Sequence, residues 1–176
     1  MSEMNDSHMD QFDVFAYERY FANGICIVKE GKNTIYMSET DDGYIKRVIP
    51  DDPEMVGKQT TYFSDTLTLS GEGSFLKGWD IEIGVWKEYA PDGEVVKEIN
   101  KDENYPLSWD EMRGCFLQND IRLNDVRMVR RTQDAVSGRY LWVVIMKSPK
   151  NTLDIACFDA QTGDLIERKK TKTKVS

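Results

Sequence analysis

The chain has 176 residues, 40% of them hydrophobic and 11% aromatic, with a formal net charge of −8. That length and apolar content can bury a core in one domain or two small packed halves, and they exclude global disorder. The charge is unevenly placed. Residues 1–104 carry 22 acids and 10 bases, net −12, whereas residues 105–176 carry 9 acids and 13 bases, net +4. An acidic body of this kind repels phosphate backbones and excludes general nucleic-acid binding, while favouring a basic protein partner. No apolar run approaches the length of a bilayer span, the longest being residues 140–146. The polar, acidic start lacks the features of a secretory leader, so the expected location is the cytoplasm, with no membrane partner.

In chain order, residues 1–11 read as a disordered lead. Residues 12–21 place Phe12, Val14, Phe15, Tyr17, Tyr20 and Phe21 in a pattern that suits a short helix or a strand. Residues 25–28 and 34–37 flank a loop containing Gly31 and predict a hairpin. Asp41-Asp42-Gly43 is a second turn signal, followed by a strand over residues 44–49. That strand ends at Pro50-Asp51-Asp52-Pro53, because proline lacks the donor a ladder needs. Pro91-Asp92-Gly93 joins two further strand-like runs. Proline presets the first turn dihedral, aspartate bonds its own backbone and glycine accepts positive φ, so residues 84–90 and 94–100 are expected to pair. Trp86 and Val95 or Val96 are expected on the buried face.

From Pro106 the pattern changes. Ser108 stands three residues before Glu111, the spacing of a capping box, and Trp109, Met112 and Phe116 fall on one helical face. Strands follow at residues 126–131, 140–147, 153–158 and near 165–167. Arg168-Lys169-Lys170-Thr171-Lys172-Thr173-Lys174 closes the chain as a frayed basic tail. The expected organisation is a lead (1–11), antiparallel β-hairpins (12–104), a helix with a β-meander (105–168) and the tail (169–176). The fold class is α+β, antiparallel hairpins followed by a helix packed on an antiparallel meander.

Two stretches carry a family resemblance. Gly84-x-Trp86-x-x-Tyr89, then Asp92-Gly93 and Val95-Val96-Lys97-Glu98, resembles one unit of the MORN-like variant repeat. A partial second unit lies 27 residues upstream, where Tyr62 stands to Tyr89 as Leu69 stands to Val96. That upstream unit departs from the pattern, with Asp65-Thr66 in place of Asp-Gly and no Gly-x-Trp before Tyr62. Proteins with this repeat include bacterial antitoxin and immunity proteins. The resemblance therefore implies a protein that neutralises a cognate toxin by binding it. Phe158-Asp159-x-x-Thr162-Gly163, before the last strand, is similar to the PepSY-like module.

Catalytic patterns are scarce. The single histidine, His8, sits in the lead and is a poor centre for a triad, dyad or zinc site. Cys26, Cys115 and Cys157 have no metal-ligand spacing and read as small buried thiols. Gly71-Glu72-Gly73-Ser74-Phe75 lacks the order of a phosphate loop or a nucleophile elbow and reads as a hairpin bend. The acidic clusters Asp41 with Asp42, Asp51 with Asp52 and Glu54, and Asp102 with Glu103 have turn composition without calcium-loop spacing. No cofactor and no metal are expected.

Binding without turnover is therefore the expected activity: inhibition of a cognate toxin, a nuclease or an NAD-consuming enzyme, by covering its active site or substrate access. Asp41, Asp42, Asp51, Asp52 and Glu54 are the expected contacts, with Trp79 as an anchor in a loop-like stretch. A small carboxylate-dependent hydrolase and a structural scaffold are the alternatives, since two carboxylates at a suitable separation suffice for hydrolysis.

Overall fold

A computed structural model describes residues 11–22, 25–51, 55–147 and 152–172. His8 and residues 1–10 of the lead lie outside the described residues; Gln11 forms a single antiparallel bridge with Thr68. The chain divides into two compact units, Met1–Asn100 and Lys101–Ser176. Both sheets are antiparallel, with two α-helices in the described residues.

The first unit is an eight-stranded meander in which each strand pairs with its sequence neighbours. It runs β1 (Phe21–Ala22), β2 (Ile25–Glu30), β3 (Asn33–Thr40), β4 (Gly43–Pro50), β5 (Val56–Phe63), β6 (Leu69–Leu76), β7 (Ile81–Tyr89) and β8 (Val95–Asn100). Turn chemistry sets this order. At Pro91-Asp92-Gly93 the Gly93 backbone takes φ +88°. The Gly93 N–H donates to the Ala90 carbonyl at 2.8 Å, and Ala90 N–H donates to the Glu94 carbonyl at 2.8 Å. Trp86 therefore faces Ile99 and Tyr89 faces Val95, as the hairpin requires. The expected burial does not extend from Trp86, which is half-buried, to the valines. Val95 and Val96 are 48% and 61% exposed, because β8 is an edge strand far from the element that covers the sheet.

That cover is α1 (Val14–Tyr20), which decides the ambiguous residues 12–21 in favour of helix. Asp13 caps it by accepting the Ala16 N–H at 2.9 Å, and the chain leaves the helix at Phe21 to form β1. Phe12, just before the cap, stacks on Tyr44 with centroids 4.4 Å apart and tilts against Tyr62 at 5.3 Å. These rings, with Tyr17, Cys26, Ile35 and Met37, form the core on one face of the sheet. Burial of such aromatics supplies most of the stabilisation available to a small sheet.

The second unit contains α2 (Trp109–Gln118), a short 3₁₀ turn, and β9 (Val126–Gln133), β10 (Tyr140–Met146), β11 (Thr152–Asp159) and β12 (Leu165–Lys172), ordered β12-β11-β10-β9. The capping box forms: Glu111 N–H donates to Ser108 Oγ at 3.3 Å, and Ser108 N–H donates to the Glu111 carboxylate at 2.7 Å. Trp109, Met112 and Phe116 are buried. Their rings meet the strands, with Phe116 5.0 Å from Phe158 and Trp109 5.9 Å from Trp142. Arg131 lies between Tyr105 and Trp142, 4.5 and 4.4 Å from their centroids, and pairs with Asp102 at 2.7 Å. The Asp159 carboxylate accepts the Gln161 and Thr162 N–H groups, which turns the chain from β11 into β12. β12 continues to Lys172, with Lys169, Lys170 and Thr171 paired to Ile155, Asp154 and Leu153. Much of the expected tail is thus strand, because an extended basic run has a neighbour with open ladder positions.

Candidate functional site

Strand alternation divides the first sheet into two unlike faces. Ile35, Met37, Val48 and Tyr62 point to the α1 side. Tyr36, Ser38, Ile45, Arg47, Ile49 and Gln59 point to the other. Register aligns them in a row across four strands, Tyr36 beside Arg47, Arg47 beside Gln59, and Gln59 beside Gly73. Glycine supplies the floor on the β5–β6 side. A Cβ on Gly57 would fall 2.6 Å from the Phe75 ring, and one on Gly73 would fall 2.1 Å from the Trp86 ring. Only a bare backbone lets these two rings lie flat on the sheet. Trp86 is fixed there by its indole N–H, which donates to the Ser74 carbonyl at 3.1 Å.

Arg47 sits at the centre of this face. Its Nε donates to Gln59 Oε1 at 2.8 Å and one terminal nitrogen donates to Asp80 Oδ1 at 3.0 Å. The guanidinium carbon lies 5.0 Å from the Phe75 centroid, within cation–π range. Asp80 reaches it from the β6–β7 turn with φ +52°, a left-handed conformation that non-glycine residues seldom adopt. The pair is open to water, with side-chain exposures of 39% for Arg47 and 72% for Asp80. Beside it, Ile25, Tyr36, Ser38, Ile45, Arg47 and Ile49 line an open hollow of about 390 Å³. The apolar surface continues outward through Ile27, which is also exposed. This hollow is predominantly apolar with a fixed cation at its wall, the composition of a binding surface.

The residues singled out from sequence fall elsewhere. Asp41 and Asp42 form the exposed β3–β4 turn. Asp51 follows β4 at the opposite end, roughly 25 Å away for eight residues of strand. Its carboxylate is not idle: Lys29 donates to it at 2.7 Å and Thr34 at 3.5 Å. The Lys29 hydrogen bond holds the Asp51 pKa below its ordinary value. Asp52 and Glu54 lie outside the described residues. Trp79 is half-buried in the β6–β7 turn, at the same end of the sheet as Asp51. The structure thus brings Asp51 and Trp79 to one end and leaves Asp41 and Asp42 at the other. Arg47, Gln59 and Asp80 escaped notice because 12 and 33 residues separate Arg47 from its partners. A signal was present: in Ile45-x-Arg47-x-Ile49, alternation puts a cation on an apolar face.

Tyr89 donates to Glu72 at 2.6 Å. That bond lowers the Glu72 pKa, while burial first and Glu72 second push Tyr89 up to about 12. Burial also raises the Cys26 and Cys157 thiols, which disfavours the reactive thiolate. Among the described residues no three His, Cys, Asp or Glu side chains come together as a metal-binding group, and no helix is long and apolar enough to cross a membrane. Comparison with protein-family models, with curated proteins and with solved structures finds no match to this chain.

Proposed function

We propose that the protein is a binding protein of the immunity or antitoxin kind, which inhibits a cognate bacterial toxin in the cytosol by covering its active site. The observation that carries this reading is the Arg47-centred face, an apolar sheet surface with a fixed cation at its wall and rings laid flat on a glycine floor. Rigid strands and packed aromatics preorganise such a face, which reduces the entropy lost on docking. The MORN-like reading of the β5–β6 and β7–β8 hairpins supports the same conclusion. The net −12 of residues 1–104 suits a toxin with a basic substrate cleft, such as a nuclease or an NAD-consuming enzyme. The acidic residues Asp41, Asp42, Asp51, Asp52 and Glu54 steer the approach, and Trp79 contributes at the rim.

The test is co-expression with toxin domains encoded beside this gene. A stoichiometric complex and rescued growth are expected, with association slowing as salt rises from about 0.05 to 0.5 M while dissociation changes little. Absence of binding and protection, together with measurable turnover by the purified protein, would overturn the reading in favour of a hydrolase.

A further inference from the structure

We infer that Arg47 receives a carboxylate from the partner protein, an acidic side chain flanked by aliphatic residues that enter the hollow beside it. This inference rests on the binding reading and gives it a chemistry. Of the six residues that line the hollow, Arg47 alone is charged, so the complement is an anion in apolar company. A guanidinium carries five N–H donors. Gln59 and Asp80 take one each, and both bonds, with the Phe75 ring beneath, fix the plane of the group. A guanidinium held in one plane presents its remaining N–H groups in the fork that matches a carboxylate.

Asp80 plays the part of a resident counter-ion. Its carboxylate is 72% exposed, so its bond to Arg47 is weak and easily loosened. Docking that excludes water from the hollow strengthens the new pair relative to the old one. The left-handed backbone at residue 80 keeps this counter-ion in place, and asparagine tolerates that conformation almost as well as any residue but glycine. Asp80→Asn therefore removes the competing charge without altering the turn. An acidic group met in this way is compatible with a partner whose surroundings are basic, since the net −12 of residues 1–104 attracts those surroundings.

The probe is an N-acetylated, C-amidated pentapeptide, Ser-Ile-Glu-Val-Ser, titrated onto the full chain while the Arg47 side-chain N–H and the isoleucine methyl resonances are followed by NMR. The Glu peptide is expected to move Arg47, Ile25, Ile45 and Ile49, and to bind roughly tenfold tighter than the same peptide with Gln. Asp80→Asn should tighten Glu-peptide binding by about threefold, and Arg47→Lys should weaken it by about tenfold with the fold retained. Equal affinity for the Glu and Gln peptides overturns the inference, as does an absence of shifts at millimolar peptide. Acetate that binds as well as the peptide also overturns it, because the occupant is then a small carboxylate. Any of these results alongside an intact complex with the toxin removes Arg47 from the interface chemistry and leaves the binding reading standing.

Discussion

Two arginines in this molecule make the same kinds of contact in different surroundings. Arg131 stacks between Tyr105 and Trp142, bonds the Lys101 carbonyl at 3.1 Å and pairs with Asp102, and its side chain is only 10% exposed. Arg47 stacks on one ring, bonds a glutamine and pairs with an aspartate, and remains 39% exposed. In the first case rings close over both sides of the guanidinium and the charge is committed to the fold. In the second, the Phe75 ring lies on one side and 39% of the side-chain surface stays exposed. Stacking and ion pairing alone therefore do not separate a structural arginine from an interaction surface; the number of faces left open does.

Replacing each arginine by methionine breaks or sharpens that contrast. Arg131→Met should cost about 2–3 kcal/mol of stability, since it removes a largely buried guanidinium and its pairing with the partly exposed Asp102. Arg47→Met should cost less than about 1 kcal/mol, as expected for an exposed pair. Chemical denaturation of the two variants measures both, and similar losses would erase the distinction. Next in size is Gly73→Ala. The added methyl group occupies the place of the Trp86 ring, so a loss of about 1–3 kcal/mol and a change in tryptophan fluorescence are expected. An unchanged emission spectrum would mean that Trp86 does not cover the glycine floor. Ser108→Ala comes third, at about 1 kcal/mol in the denaturant midpoint, because it removes the N-cap of α2.

A further effect concerns pH. Tyr89 is raised from 10.0 to about 12. Its contribution to stability is present below its ordinary value and is lost as pH rises through about 12. Glu72 is lowered from 4.5, so its contribution is present above that value and disappears as pH falls through the folded-state pKa. Tyr89→Phe should flatten the dependence of the unfolding midpoint on pH between about 10 and 12. Absorbance of the phenolate provides the check. A Tyr89 that ionises together with exposed tyrosines would remove the Glu72 bond from the account.

What sequence revealed and what it hid follow one physical division. Pro91-Asp92-Gly93 and Ser108 with Glu111 were legible because their hydrogen bonds close within three or four residues. The helix at residues 14–20 was ambiguous because its aromatics satisfy both periods, and Asp13, the residue that decides it, is a cap beside an apolar pattern. One of Val95 and Val96 was expected to be buried because β-branched residues favour sheet interiors, yet burial depends on where a covering helix lands. The candidate site was hidden for a related reason. Gln59 and Asp80 reach Arg47 only through the register of three strands and a left-handed turn, which no local pattern encodes.

The course of β12 changes how the basic run can be attacked. Arg168, Lys169, Lys170 and Lys172 are the residues a trypsin-like protease seeks, but such an enzyme needs several extended residues free to enter its cleft. Here the run is extended and already paired, from Ala156 with Arg168 to Thr152 with Lys172. Cleavage must wait for the edge strand to peel away. The cutting rate then reports the free energy of that local opening, separately from unfolding of the unit as a whole.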